Sequence, residues 1–155
     1  MKQYIELFIK VCKYVFKEFV GLELEAKTPY YMEKEALFEC DISSIIGITG
    51  EARGAVIISM KVDLATKLTS ILTGAEYTGL DDDVVDAMGE IVNIVAGNVN
   101  RELEKTFKLM ISMPTIIKGN GHSINWPLGQ AKVICIPFTA CDTYNFTLSV
   151  ALEEV

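Results

Sequence analysis

Apolar residues recur along this chain with two distinct periods, and the switches between them mark out its elements. From Lys2 to Phe19 the residues Ile5, Phe8, Ile9, Cys12, Val15, Phe16 and Phe19 repeat at three and four, which predicts a helix with one buried face, closed by Gly21. A strand-like region runs from Leu22 to about Asp41, broken by Pro29. SSIIGITGEARGAVIISM (43–60) then predicts a β-hairpin, two β-branched runs flanking the turn residues GEARG. Asp63 is placed to cap a short helix, DLATKLTSILTG, that closes at Gly74. Asp81, Asp82 and Asp83 supply the N-cap and first-turn acids of a long helix reaching about Phe107. ISMPTIIKG (111–119) predicts a strand that tolerates Pro114, hence an edge or bulge position, and NGHSINWPLGQ (120–130) is a turn-rich loop holding His122 and Trp126. AKVICIPFTACDTYNFTLSVALEEV (131–155) predicts a closing hairpin in which Tyr144, Phe146, Leu148, Val150 and Leu152 alternate toward one face and whose regular strands leave a free edge for pairing between subunits.

The order is doubled: helix and three strands, a short helix, then helix and three strands. An offset of about 85 residues roughly superimposes the halves, with Pro29 and Pro114 at similar distances from the two long helices.

The long helix carries two stripes. Val85, Met88, Val92, Val95, Val99 and Leu103 fall within ~90° of each other at ~100° per residue, the width of a face packed on a core. Asp86, Glu90, Asn93, Gly97, Asn100 and Glu104 form a second stripe roughly opposite, with Glu90 and Asn93 as neighbours three apart. A glycine in an exposed helix interior costs ~1 kcal/mol relative to alanine. Gly97 therefore points either to another protein approaching this face closely or to a crossing element of the same chain, and Gly89 on the flank adds to the first reading.

Composition narrows the function classes. The 155 residues fit one domain able to bury roughly 70% of its unfolded surface, and half of them are hydrophobic, enough to suggest that a second copy covers some apolar surface. A net charge of −7 argues against nucleic acid and against an anionic membrane, both of which need clustered Lys and Arg. Cys12, Cys40, Cys135 and Cys141 contain no CxxC pair and the one histidine has no neighbour at ligand spacing, so no metal site is expected. Cys135 and Cys141 can lie on adjacent strands or, like the others, be reduced buried thiols. The aspartate run 81–83 fits capping better than metal binding. The N-terminus lacks the apolar core of a signal peptide and no stretch reaches the length of a membrane span, so a cytoplasmic protein is expected.

No Ser/His or Cys/His pair is evident to build a covalent mechanism, and neither asparagine nor an exposed glutamate is a nucleophile for a difficult substrate. The reaction must be an easy one. An acyl phosphate such as phosphoaspartate is already activated, and a carboxamide that orients one water in line with phosphorus suffices, as glutamine does in small GTPases. The glutamate can pair with a lysine on the partner and fix the docking register.

At these residues the chain resembles the CheX proteins of the CheC/CheX/FliY group, phosphatases of the phosphorylated chemotaxis regulator CheY. The group's signature, Asp or Ser, three residues, Glu, two residues, Asn and a later proline, is matched by Asp86, Glu90, Asn93 and Pro114. IIGITGEARGAVIIS, LTGAEY and DAMGEIVNIVAG also read like CheX, and the likeness spans essentially the whole chain. The resemblance implies an α/β (α+β) CheC-like fold of two related helix-plus-three-strand halves, with an antiparallel-rich sheet packed against long helices, in a single domain of residues 1–155. It gives Asn93 the role of positioning the hydrolytic water and Glu90 that of contacting a regulator lysine; the polar stripe adds Asp86, Gly97 and Asn100 as partner-binding positions. It implies that no cofactor is bound by this chain, the Mg²⁺ being held by the response regulator, and that the chain forms a homodimer through sheet edges. Some relatives carry a second signature on the first helix; here Ile5 and Phe8 stand at those positions, which implies one site per chain. A competing reading is a non-catalytic interaction module of the flagellar-switch type with the same fold, and a small-molecule hydrolase is a third.

Overall fold

A computed structural model describes residues 2–32, 39–122 and 132–155. Helix α1 (Lys2–Val15) runs without a break into a π-helical turn, Phe16–Val20; α2 is Val62–Thr73 and α3 Asp82–Leu103. Eight strands, β1 (Leu24–Ala26), β2 (Tyr30–Tyr31), β3 (Ile42–Gly50), β4 (Ala52–Met60), β5 (Leu109–Ile111), β6 (Thr115–Lys118), β7 (Ile134–Ala140) and β8 (Tyr144–Glu154), form one antiparallel sheet in the order β1-β7-β8-β4-β3-β5, with β2 also on β7 and β6 also on β3.

That order reads the same from both ends when the halves are exchanged. The short strands β1 and β2 precede β5 and β6 by 85 residues, and the hairpin starts Ile42 and Ile134 lie 92 apart, so the doubled plan holds with a slightly wider spacing at the hairpins. Each half hands its short strands to the other half's hairpin, and β4 and β8 meet at the centre. The closing hairpin therefore offers no free edge: β8 is paired on both sides, and the sheet ends at the short strands instead.

The apolar alternation in the strands produces rows across the sheet, such as Ile46, Val56, Val150 and Ile134 on four neighbouring strands, all buried under the helices. Phe16, Phe146 and Phe138 form a continuous stack, with ring centroids 4.9 and 5.0 Å apart, that fastens the end of the first helix to the β7–β8 hairpin. Burying each such ring contributes about 1.5–3 kcal/mol.

Element ends follow the capping signals in part. Gly21 (φ 68°) and Gly74 (φ 77°) close their helices in the left-handed region, where the absence of Cβ removes the steric cost. The start of α2 does not depend on Asp63. The N-cap position is Lys61, and the carboxylate of Asp41, brought in from before β3, accepts from Val62 N–H at 2.8 Å, while Asp63 lies in the first turn and accepts from Leu64 N–H. Helix α3 stops at Leu103, short of Phe107, and one closing turn follows in which the N–H groups of Thr106 and Phe107 both donate to Leu103 O, at 2.9 and 2.8 Å. The β3–β4 pairing ends at Ile48 and Gly54, so the five residues Thr49–Arg53 connect the hairpin, in line with GEARG; Glu51 alone lies outside both strands because Thr49 and Gly50 go on to pair with β5 and Ala52 and Arg53 with β8. Pro114 interrupts the predicted 111–119 strand, leaving β5 and β6 on either side; Ser112 holds the gap by donating N–H to Gly47 O at 2.9 Å and accepting Gly47 N–H on its hydroxyl at 2.8 Å. The NGHSINWPLGQ loop from residue 123, including Trp126, lies outside the described residues.

Phe19 departs from the expected buried face. An α-helix would place it inward with Phe16, but the wider π turn brings Val20 to that position, 6% exposed, and leaves Phe19 50% exposed.

Candidate active site

Helix α3 forms where the sequence places it. Asp81 caps it, accepting Val84 N–H at 3.1 Å, and Asp82 and Asp83 at the start with Arg101 at the end suit the helix dipole. Capping accounts for the run, except that Asp83 also accepts from Tyr77 OH at 3.1 Å. Met88, Val92, Val95, Val99 and Leu103 are buried as expected, Val85 is half-buried, and Ala87, Gly89, Ile91 and Ala96 widen the packed surface. What remains outside is a narrow polar stripe. Asp86, Glu90, Asn93 and Glu104 are exposed; Gly97 and Asn100 are half-buried.

Three asparagines lie on this helix, in different states. Asn98 donates to Ile94 O at 2.8 Å and Asn100 donates to Glu104 Oε1 at 3.0 Å, with the Asn100 Oδ1 atom buried and unpaired. Among the described residues neither the Asn93 amide nor the Glu90 carboxylate has a side-chain partner, so both remain available to a second molecule. Three residues apart on one helix, their Cβ atoms stand ~5–6 Å from each other, close enough to act on adjoining groups.

The two glycines separate in meaning. A Cβ on Gly97 meets nothing within 4 Å among the described residues, so no described element of the chain crosses there and the bare backbone faces outward. Gly89 is buried instead, and a Cβ there would lie 3.4 Å from the Pro114 ring. Its place in the pattern reflects packing within the chain rather than room for a partner. The same contact explains how a proline twenty residues on belongs with the Glu90 and Asn93 pair: it seats the β5–β6 segment against the helix directly before Glu90. On α1 the corresponding Phe8 is fully buried and Ile5 half-buried, so the first helix presents no equivalent pair.

One constellation was hidden by sequence distance. His122 Nε2 lies 2.6 Å from Ser43 Oγ and 3.5 Å from Cys40 Sγ, with Nδ1 2.7 Å from Gly119 O, and Ser43 Oγ lies 2.7 Å from Ser59 Oγ. A Ser/His pair therefore does exist. It ties β3 to the segment after β6, and Ser43 is 0% exposed, so it serves the interior; burial likewise pushes the Cys40 thiol up, away from a nucleophilic thiolate. Cys141 is exposed in the turn after β7, not buried with the other three thiols and not on a strand facing Cys135. Among the described residues no group of three or more His, Cys, Asp or Glu side chains is arranged to hold a metal, and no helix is long and apolar enough to cross a membrane.

A family model described as chemotaxis phosphatase CheX matches residues 42–139, the span that contains α3 and Pro114. The chain belongs to the CheX family. It is 30% identical over 113 residues to the CheY-P phosphatase CheX of Thermotoga maritima, covering 72% of this chain and 71% of that protein. Among solved structures, chemotaxis protein CheX of Vibrio vulnificus superimposes with a TM-score of 0.87 at 28% identity, over 97% of this chain and 99% of that one. The CheX of the Borrelia burgdorferi CheX–CheY–BeF3–Mg²⁺ complex superimposes with a TM-score of 0.81 at 26% identity, over 97% and 98%. The mixed α+β architecture with its antiparallel sheet is the CheX fold. In this chain Asp86, Glu90 and Asn93 share one exposed face of α3, and Pro114 braces that helix from the sheet side.

Proposed function

We propose that this chain hydrolyses the phosphoaspartate of a CheY-like response regulator and so ends its signal. The observation that carries the reading is the Asn93 amide, exposed and unengaged among the described residues beside Glu90, while the opposite flank of the helix is fixed in the core. In this reading α3 docks over the regulator's phosphorylation site. The Asn93 carboxamide accepts from and donates to one water, holding its oxygen in line with the phosphorus. That oxygen forms the new P–O bond as the bond to the aspartyl oxygen breaks; the water's protons pass to phosphate and solvent, and the products are inorganic phosphate and a free aspartate. The leaving carboxylate is stable, so no nucleophile or general base on this chain is required. Glu90 pairs with a lysine beside the regulator's site and sets the docking angle. Mg²⁺ belongs to the regulator's own carboxylates, where it offsets charge on the phosphoryl oxygens. Asp86 and the open backbone at Gly97 complete the contact face, and Asn100, tied to Glu104, stiffens its far end.

The support lies in the family, in the T. maritima relative's description as a CheY-P phosphatase, and in the exposed pair on this chain. The test is to phosphorylate a receiver domain from the same organism and follow loss of its phosphoryl group with and without the chain. Acceleration well beyond the receiver's own rate is expected; an unchanged rate contradicts the reading and favours a binding module without catalysis.

A further inference from the structure

The exposed stripe of α3 includes a cation. Arg101 stands one turn beyond Gly97, and its spacing from Glu90 returns it to within ~20° of the glutamate's direction from the helix axis. It is exposed and is the one cation in the α3 sequence. A partner that comes close to the bare backbone at Gly97 therefore comes within reach of the Arg101 side chain.

Arg101 borders a groove of about 240 Å³ between α3 and α1, to which α1 contributes Lys10 and Tyr14. Val11, buried, and Leu7, half-buried, give the groove an apolar base. Among the described residues neither Arg101 nor Lys10 has an ion-pair partner, and the Tyr14 hydroxyl, on a side chain 54% exposed, has no hydrogen bond. Glu102, the one carboxylate lining the groove, is engaged by Lys105 at 2.8 Å. That bond holds its carboxyl below the ordinary range, and the charges of Lys10 and Arg101 lower it further, so both cations act on the same space. A cleft lined by one sign of charge concentrates counter-charge. Pockets for drug-sized ligands run from ~300 to 1,000 Å³; this one is the size for a single acidic side chain, which the guanidinium fork can take with two parallel N–H bonds.

The rest of the stripe shows where such an acid comes from. Asp86, Glu90 and Glu104 are exposed and negative on a chain of net charge −7. A receiver docked over Asn93 brings a phosphoryl group and Mg²⁺-holding carboxylates to this face, so acid meets acid, and the receiver lysine answers only Glu90. Resting on the reading above, we propose that the groove between Lys10 and Arg101 receives a carboxylate side chain of the receiver domain, ~12 Å along α3 from the phosphoaspartate that Asn93 serves. Two ion pairs of opposite sense then key the complex, Glu90 to a receiver lysine and Arg101 to a receiver acid. A receiver turned end for end sets like charges against each other at both places, so the pairs fix orientation as well as affinity.

The experiment compares wild type with Arg101→Gln, Lys10→Gln, Arg101→Glu, Asn93→Ala and, as a control for net charge, Lys27→Gln, whose side chain does not line the groove. Each is titrated with a receiver domain carrying beryllofluoride and Mg²⁺ to obtain Kd, and each is assayed for turnover across a range of phosphorylated receiver. Arg101→Gln should raise Kd and the half-saturating receiver concentration about tenfold and Lys10→Gln about threefold, with maximal rates within about twofold of wild type. Lys27→Gln should move neither, and Asn93→Ala should lose maximal rate with Kd preserved. All five positions are exposed, so circular dichroism and thermal midpoints should stay near those of wild type. Arg101→Glu should bind weakly, and binding should return with one receiver variant in which a surface Asp or Glu about 12 Å from the phosphoaspartate is changed to Lys. Kd unchanged in both Arg101→Gln and Lys10→Gln overturns the proposal, as does an equal loss in Lys27→Gln or the absence of any restoring receiver variant. So does binding of inorganic phosphate by the chain alone that Arg101→Gln abolishes while the receiver Kd stays put, which gives the groove to a small anion, and so does a loss of affinity that sedimentation traces to lost self-association. A wild type that binds the beryllofluoride-loaded receiver without speeding hydrolysis sinks the catalytic reading alone and leaves the groove to be judged on the same Kd values; one that neither binds nor hydrolyses sinks both.

Discussion

Asn93, Asn98 and Asn100 have the same chemistry and differ only in what holds them. Asn98 and Asn100 are bound into their own helix and Asn93 is not, so Asn98→Ala should leave turnover within about twofold of wild type. In the proposed docking Glu90 acts by charge, which salt screens over ~8–10 Å at physiological strength. The half-saturating receiver concentration of wild type should therefore rise with added NaCl, and in Glu90→Gln it should start higher and respond less. A salt response identical in the two proteins would remove the glutamate from docking. The Glu90 and Asn93 pair was legible in sequence because helical period is a local property. The contact of His122 with Ser43 was not, since only tertiary folding joins residues 79 apart.

At the scale of elements, α3 is a rod with one face packed in the core and a polar stripe left exposed. Gly97 has open space where a Cβ would stand, so Gly97→Ala should raise helix and protein stability by up to about 1 kcal/mol, read as a higher midpoint in urea. Gly97→Trp should fold but lose regulator binding by steric block, and full binding by that variant would place the contact elsewhere. Periods of 3.6 and 2 located every helix and both hairpins, and Gly21, Gly74 and Asp81 marked ends correctly because their capping depends on their own backbone or side chain. The start of α2 and the exposure of Phe19 were not legible for the opposite reason: one depends on Asp41 arriving from the segment before β3, the other on a π turn at the end of the first helix that the spacing of apolar residues does not announce. Gly89 was visible as an anomaly, but its cause, the Pro114 ring that a Cβ there would meet at 3.4 Å, lies between β5 and β6, which only the sheet brings near.

Across the whole molecule, the exchange of short strands between halves joins them in one continuous sheet, with β4 and β8 at its centre. Its interior also stores a pH response. Burial pushes the Cys12 thiol up to about 12 from an ordinary value of 9.0. Below pH 9 the thiol is protonated in both states; above it the unfolded thiol ionises while the folded one does not, so stability falls as pH rises from about 9 toward 12. Urea midpoints measured between pH 8 and 10.5 should decline, and Cys12→Ala, although less stable at neutral pH, should decline less steeply; equal slopes would contradict the assignment. The doubled plan was readable from the order of elements, whereas the crossing of short strands between halves was not, because pairing partners are chosen by the whole sheet.

The most direct test of the account is a single-turnover decay of a phosphorylated receiver domain from the same organism, with wild type and Asn93→Ala each present in excess. Wild type should speed the decay, and Asn93→Ala should reduce that acceleration by roughly a hundredfold, as loss of water positioning does, with thermal stability equal to or slightly above wild type because alanine is the better helix former. An Asn93→Ala protein that dephosphorylates the receiver at the wild-type rate would contradict it.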